Sequence, residues 1–368
     1  MAGNSIGKSF VVTSFGESHG KQVGVVVDGC PAGLKFSEAD VQAELDMRIP
    51  SQKPMIVSAR REKDVVQISS GVFNGFTTGA PICMVVENKE NRSSDYESIR
   101  DLPRPSHADY TASVKYGGFS DYRGGGRFSG RVTVSNIMAG SLAKKLLKHF
   151  GVEVVAYSES IGKIKMEKKL GFEEIRELRY KSAIRCPDLE NAEKMEDAVA
   201  DAAKSGDSLG GIIECIAINV PAGVGEPLMD ALDADLAKAI FAVPAVKGVE
   251  FGAGFALTQM TGSEANDAFR MRDGKVTVSS NLSGGILGGI STGAPITIRV
   301  AIKPTPSIAK EQQTVDLSKM RDASIKISGR HDPCVMPKAV PAVEAAVAIT
   351  LADHMIRACI IPRVLKEQ

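Results

Sequence analysis

The hydrophobic positions of this chain fall into two kinds of run. Short β-branched stretches bounded by glycine or proline predict strands: VGVVVDG at 23–29, GGIIECIAINV at 210–220 and APITIRVAI at 294–302. Longer stretches carry apolar residues at three- and four-residue intervals and predict helices. VTVSNIMAGSLAKKLLKHFG (132–151) and NAEKMEDAVADAAKSGDSLGG (191–211) both close on glycine, and AVPAVEAAVAITLADHMI covers 339–356. FSEADVQAELDM (36–47) and LMDALDADLAKAI (228–240) have the same helical spacing.

Part of this pattern occurs twice. GVFNGFTTGAPICMVVENK (71–89) matches residues 285–303 at nine of nineteen positions without a gap, from Gly71 on Gly285 to Lys89 on Lys303. A strand, a PAG turn, a helix and a proline precede each copy, ending at Pro50 and Pro244. We read a duplicated strand–helix–strand unit, with copies at about 24–89 and 210–303. The alternative is that TGAPI is a serviceable turn that arose twice. Two such copies related by a pseudo-twofold predict one domain over 1–368, an α+β sandwich with helices packed between outer antiparallel sheets.

Between the copies, residues 90–131 fit neither pattern. Punctuated by glycine, proline and serine, they hold four of the six tyrosines, at 96, 110, 116 and 122. An insertion this long in a compact domain is a candidate functional segment.

Charge changes the picture only locally. The net charge is +1, so the chain as a whole exerts no pull on nucleic acid or an anionic membrane. No uninterrupted apolar run approaches the ~18 residues of a membrane span, and the first ten residues lack a signal-peptide core. The six cysteines (30, 83, 186, 215, 334, 359) form no C-x-x-C pair, which predicts neither a zinc site nor a disulfide framework and suits a reduced, cytoplasmic protein.

The local charge lies in RGGGRFSGR (123–131), where Arg123, Arg127 and Arg131 stand four residues apart among glycines, ahead of a predicted helix with Ser129 at the N-cap position. Such a segment suits phosphate or carboxylate. It lacks the Lys-Ser/Thr of a Walker loop, and pairing of the arginines with acids elsewhere is the alternative. Of the five histidines, His149 and His354 sit on helices as dipole or surface residues, while His19 and His107 lie among small turn-forming residues where an imidazole can titrate. His331 stands between Arg330 and Asp332 before a proline. Together these groups predict proton transfer to and from a small polyanion.

Three segments, GESHGKQVGVVVDGCP (16–31), the RPSHADY…DYRGGGR…SGR block (104–131) and GRHDPCV (329–335), resemble the hallmark segments of the chorismate synthase family, and the resemblance runs the length of the chain. It implies a lyase that converts 5-enolpyruvylshikimate 3-phosphate to chorismate and phosphate by 1,4-anti elimination, a β-α-β sandwich and a homotetramer. It also implies reduced FMN as cofactor, with NADPH a candidate reductant. By position, Arg48, Arg104, Arg131 and Arg330 match the family's substrate-binding arginines. Arg127, Ser129, Ala245, Gly288, Lys303, Thr305, Ser307 and Arg330 fall where the family holds FMN. His19 matches the histidine that protonates the leaving phosphate, and His107 the one placed to protonate reduced flavin. Asp332 matches the aspartate that relays the C6 proton through the flavin. The chain departs from the family pattern at Phe128, Gly130, Val132, Lys53-Pro54, Pro244 and Pro306, putting one flavin hydrogen bond and one arginine partner in question. A flavin oxidoreductase and a non-catalytic phosphometabolite-binding protein are the competing readings; retained His19, His107 and Asp332 argue against the second.

Overall fold

The computed structural model describes residues 3–49, 64–89, 96–97, 99–327 and 332–366. In the first half, strands β1 (Ser5–Ile6), β2 (Val11–Gly16) and β3 (Gln22–Asp28) precede helix α1 (Glu38–Arg48). Then come β4 (Val66–Ser70), a hairpin of β5 (Val72–Phe73) and β6 (Phe76–Thr77), and β7 (Ile82–Glu87). Helix α2 (Asp109–Tyr116) lies within the insertion, and α3 (Thr133–His149) closes this half. The second half runs β8 (Glu153–Ile161), β9 (Ile164–Lys165), α4 (Phe172–Leu178), α5 (Leu189–Lys204), β10 (Gly211–Ile218), α6 (Leu232–Phe241) and β11 (Val246–Phe251). A short helix α7 (Gly262–Ala265) and two hairpins follow, β12 (Phe269–Arg272) with β13 (Lys275–Val278) and β14 (Ile286–Leu287) with β15 (Ile290–Ser291). Strand β16 (Ile296–Ile302), a hairpin of β17 (Glu311–Asp316) and β18 (Arg321–Lys326), and helix α8 (Met336–Arg357) complete it.

Two antiparallel five-stranded sheets form the outer layers, ordered β1-β2-β3-β7-β4 and β9-β8-β10-β16-β11. Their central pairs, β3 with β7 and β10 with β16, are the strands of the two repeated stretches. Alternation decides which face is inward. Val23, Val25 and Val27 of β3 meet Val86, Met84 and Ile82 of β7, while Ile213, Cys215 and Ala217 of β10 meet Val300, Ile298 and Ile296 of β16, all buried. Helices α1, α3, α6 and α8 fill the space between the sheets. At the centre α3 and α8 touch backbone to backbone: a methyl added to Gly140 would lie 2.3 Å from Ala345 Cβ, so only glycine admits this approach.

Several boundaries differ from the sequence reading. The helix expected over 191–211 stops at Lys204, where Gly206 turns left-handed at φ 70° and frees the chain to start β10 at Gly211. Helix α8 is long and apolar enough to cross a membrane by composition, with mean hydropathy 1.4, although no uninterrupted apolar run suggested it. It is the core helix instead, 94% of that window being buried. His354, read as a dipole or surface residue, is buried on α8 and bonds Asp235 through Nε2 at 2.9 Å. Strands β2 and β8 carry no signal that sequence analysis singled out.

One ion network ties the core layers together. The Glu344 carboxylate on α8 accepts from Lys144 of α3, from Arg179 Nη1 at 2.5 Å and from the backbone N–H of Ala156 on β8 at 2.8 Å. Burial pushes this carboxyl up, but Arg179 and Lys144 outweigh it and hold it below the usual range. Glu344→Gln keeps the shape while removing the charge from beside two buried cations. It should cost about 3–5 kcal/mol, a large share of the ~5–15 kcal/mol typical of a folded protein. The urea unfolding midpoint measures this, and an unchanged midpoint would show that the network contributes nothing to stability.

Candidate active site

The insertion between the repeated stretches is fastened to the second half of the chain. Leu317, after β17, donates its backbone N–H to Asp101 O at 2.9 Å. Lys303, just past β16, donates Nζ to Ser106 O, and Arg104 Nη1 donates to Ser307 Oγ at 3.2 Å. Burial, together with neighbouring Lys247, pushes the Lys303 ammonium down from its ordinary value. Histidine 107 is thereby held between a loop of the first half and a loop of the second.

Two charged groups, Asp109 and Arg104, fix its ring. His107 Nδ1 lies 2.6 Å from Asp109 Oδ1, and because a carboxylate can only accept, Nδ1 carries the proton. Arg104 grips the same carboxylate with Nε at 2.7 Å and Nη2 at 2.8 Å. With Nδ1–H given to Asp109, the 3.1 Å approach of Arg104 Nη2 to His107 Nδ1 is a contact between donors, not a hydrogen bond. Burial raises the Asp109 carboxyl, but hydrogen bonds from Arg104 and His107 prevail and hold it well below the usual carboxylate range. The ring is thus committed to one tautomer, with Nε2 turned toward Gly125, where a methyl would lie 3.3 Å away.

His19 stands in the turn after β2. Its Nδ1 lies 3.2 Å from Ser18 Oγ, and the edge of its ring meets Tyr96 with centroids 5.2 Å apart. The Ser18 backbone N–H donates to Gly126 O at 3.1 Å, bringing this turn against the glycine-rich segment that also touches His107.

The three arginines of that segment do not share one anion. Arg123 turns back to Asp121 at 2.8 and 2.9 Å. Arg127 donates to Ser14 O at 2.8 Å, Gly16 O at 3.3 Å and Asn4 Oδ1 at 3.1 Å. Arg131 is buried, donating to Asn88 Oδ1 at 3.0 Å and to Asp64. Four-residue spacing brings side chains together only on a helix. Here Gly124, Gly125 and Gly126 are left-handed and the chain turns between the arginines. Arg48 Nη1 reaches the other oxygen of Asp64 at 3.5 Å, so one buried acid lies between two buried arginines. Ser129 caps not the long helix but the single turn Gly130–Val132 before it, its Oγ accepting from Arg131 N at 3.3 Å.

Ala245, Lys303, Thr305 and Ser307 gather where β11 begins and β16 ends. Lys303 N donates to Ala245 O at 2.9 Å, Ala245 sits at φ 72°, and Thr305 Oγ1 is buried without a hydrogen-bond partner. A strained non-glycine residue beside an orphaned buried hydroxyl fits a polar ligand completing the site. Gly288 is not brought there. Its hairpin is anchored through Gly284 and Gly285 against Pro295 and Thr297 at the start of β16, and Lys303 follows the far end of that strand. Asp332 accepts from Lys338 Nζ at 2.8 and 2.7 Å. Arg330, His331 and Lys53-Pro54 lie outside the described residues. A cleft of about 110 Å³ within the insertion touches Arg104, Asp109 and Gly125; the residues placed at the flavin by position do not line it.

The described departures have local partners. Arg131, beside Val132, bonds Asp64 and Asn88. Gly130 O accepts from Thr133 Oγ1 at 2.7 Å, and Phe128 packs toward Tyr116. Pro244 immediately precedes the left-handed Ala245, and Pro306 O accepts from Gln312 Nε2 at 3.4 Å. Sequence reasoning missed Asp64, Asp109 and Lys338. Asp109 follows His107 by two residues and could have been suspected as its partner. Asp64 lies sixteen residues past Arg48 and has no local signal.

Comparison with known proteins gives one answer. The family model described as Chorismate synthase matches residues 10–356. A protein of Korarchaeum cryptofilum named chorismate synthase is 55% identical over 359 residues, 97% of this chain and 98% of its own. Another of that name, from Methanosarcina barkeri, is 54% identical over 368 residues and the whole of both chains. The fold is similar to a crystal structure of chorismate synthase with a TM-score of 0.76 and 29% identity, covering 96% of this chain and 93% of that one.

The depressed Asp109 carboxyl carries a pH signature. A carboxyl whose folded pKa lies below its unfolded value near 3.9 contributes stability above about pH 4, and loses it as pH falls through the folded value. Asp109→Asn should therefore cost about 1.5–3 kcal/mol at pH 7, the usual worth of hydrogen bonds to a charged group. Urea midpoints of parent and variant should converge as pH is lowered below about 4. A gap independent of pH would mean that Asp109 is not held ionised by Arg104 and His107.

Proposed function

The chain belongs to the chorismate synthase family and converts 5-enolpyruvylshikimate 3-phosphate to chorismate and phosphate, and we propose that His19, His107 and Asp332 manage the protons of that elimination. The observation that carries this reading is the convergence of His19 and His107 on one glycine turn, with Arg104 and Asp109 fixing the second ring.

The reaction removes a proton from one carbon and a phosphate from another. Losing phosphate builds negative charge on the departing oxygens, which preorganised cations and an acid offset. Arg48, Arg104 and Arg131 are buried and held by carboxylates, so their forks need little reorganisation when a substrate with one phosphate and two carboxylates arrives. Arg330 completes the set by position. His19 serves as acid toward the leaving phosphate. His107, protonated on Nδ1 and oriented by Asp109, presents Nε2 for exchange. Lys338 donates to both oxygens of Asp332 and orients that carboxylate, which as a base can accept a proton.

Reduced FMN, when bound, supplies electron density to the electron-poor allylic centre. Arg127, Ser129, Ala245, Lys303, Thr305, Ser307 and Arg330 would hold it, the orphaned Thr305 hydroxyl and the Lys303 ammonium offering donors. NADPH is the reductant we propose for it. Gly288 lies beyond the seven residues of β16, about 20 Å of strand, from Lys303. We propose that Gly288 contributes to such a site from another copy of the chain, as a homotetramer would allow. We place this enzyme in the cytoplasm, as one domain built from a duplicated unit.

The deciding assay is anaerobic turnover with pre-reduced FMN: chorismate should form without stoichiometric consumption of reductant, whereas net electron transfer would favour an oxidoreductase. His19→Ala and His107→Ala should each lower kcat about a hundredfold, and parent-like turnover in either removes that residue from the mechanism. Lys303→Ala should weaken FMN binding about tenfold or more, as loss of a charge-assisted hydrogen bond does. Lys89→Ala, exposed at the equivalent position, should leave it unchanged. Equal losses in a fluorescence titration would mean that both halves hold the flavin.

A further inference from the structure

A glycine-rich turn ahead of a helix is ordinarily explained by an anion that needs close approach to the backbone. Here the space that two of the glycines leave open is filled by the protein's own side chains. Gly124 and Gly125 are left-handed, at φ 58° and 80°. A methyl on Gly124 would lie 2.2 Å from His19 Cε1 and 2.4 Å from its Nδ1, closer than real Cβ contacts come. A methyl on Gly125 would lie 3.0 Å from His107 Cε1 and 3.3 Å from Nε2, a tight contact that the ring could relieve by a small shift. Gly126 locks the turn in place: its carbonyl accepts from Ser18 N at 3.1 Å, and a methyl there would strike Asp121 O at 2.1 Å. Consecutive residues of one rigid turn thus abut two imidazoles that come from separate loops.

We infer that the Gly124–Gly125 backbone is the spacer that sets both imidazole rings, Gly124 for His19 and Gly125 for His107, and that the two glycines are positioning residues of the elimination. The inference rests on the reading of the two histidines as its acid–base groups. Its physical basis is that proton transfer demands placement within a fraction of an ångström, and a displacement of about 1 Å can cost a hundredfold in rate. A turn with no side chains and fixed dihedral angles defines such a distance more rigidly than interposed side chains with rotamers of their own. The sequence order then acquires a reason: two adjacent glycines face two imidazoles, Gly124 with no room for a methyl and Gly125 with room only if the His107 ring shifts.

A double-mutant cycle tests this. Gly124→Ala should lower kcat at least about tenfold and move the ring ¹⁵N chemical shifts of His19 while leaving those of His107 in place. Gly125→Ala should do the reverse and more mildly, its clash being smaller. Gly118→Ala introduces the same kind of left-handed strain, φ 80°, with nothing within 4 Å of the new methyl, and should keep the parent kcat. In a His19→Ala background the ring is gone and the remaining close contact is the rotatable Ser18 Oγ at 3.0 Å, so adding Gly124→Ala should cost little further activity and far less thermal stability than it costs the parent. That arm remains readable even if Gly124→Ala alone does not fold. An equal cost of Gly124→Ala with and without the His19 ring, or a loss in Gly118→Ala as large as in Gly124→Ala, overturns the spacer. Parent-like turnover by His19→Ala overturns the acid–base reading instead.

Discussion

The rest of the molecule depends on the contact between α3 and α8. These helices lie back to back between two sheets, close enough at Gly140 and Ala345 that a single added methyl would force them apart. Glu344, one residue from that contact, pins them through Lys144 and carries the connection on to β8. The chain enters α3 from the Gly124–Arg131 turn and α8 from Asp332. An interior at crystal-like density transmits displacement rather than absorbing it, so the segments at the entrances of these two interlocked helices inherit their rigidity.

That rigidity leaves a charge problem at the entrances. Arg48, Arg104 and Arg131 are all buried, and a buried guanidinium without a counter-ion would cost more in lost hydration than folding could offset. Acids among the described residues meet that need. Asp109 serves Arg104 together with His107, and Asp64 lies between Arg48 and Arg131. Each guanidinium thus has a carboxylate that both offsets its lost hydration and fixes the direction of its fork.

Much of this was legible in the sequence, and the division follows from the range of the interactions. The central strands β3, β10 and β16 and the helices α1, α3 and α8 announce themselves through periodicity, because burial of one face imposes a period on neighbouring residues. His19, His107 and the glycine turn stand out because their surroundings are too small and polar for a core. Asp64 does not stand out, because its significance comes from Arg131, 67 positions away in the chain. The glycines misled in a more instructive way. Their spacing with arginine suggested one shared anion, yet the left-handed turns send Arg123 to Asp121 and Arg131 to Asp64, and the freed space goes to the histidines. A sequence motif records which backbone shapes are allowed; what fills the room they leave is decided by chain segments far away.

The two halves make the same point through their lysines. Lys89 and Lys303 hold equivalent places after β7 and β16, and Lys303 donates to Ser106 O. Lys89 is exposed and leads into the insertion itself. One half thus extrudes the segment that carries His107 and Arg104, and the other half, with Lys303, Ser307 and the loop after β17, holds that segment down. The insertion is thus fastened on both sides, to the first half through Gly126, Arg127 and Arg131 and to the second through Asp101, Arg104 and Ser106. The repeated stretches supply two sheets facing each other across a helical layer, and their difference at one loop supplies both the segment that carries His107 and Arg104 and the contacts that hold it.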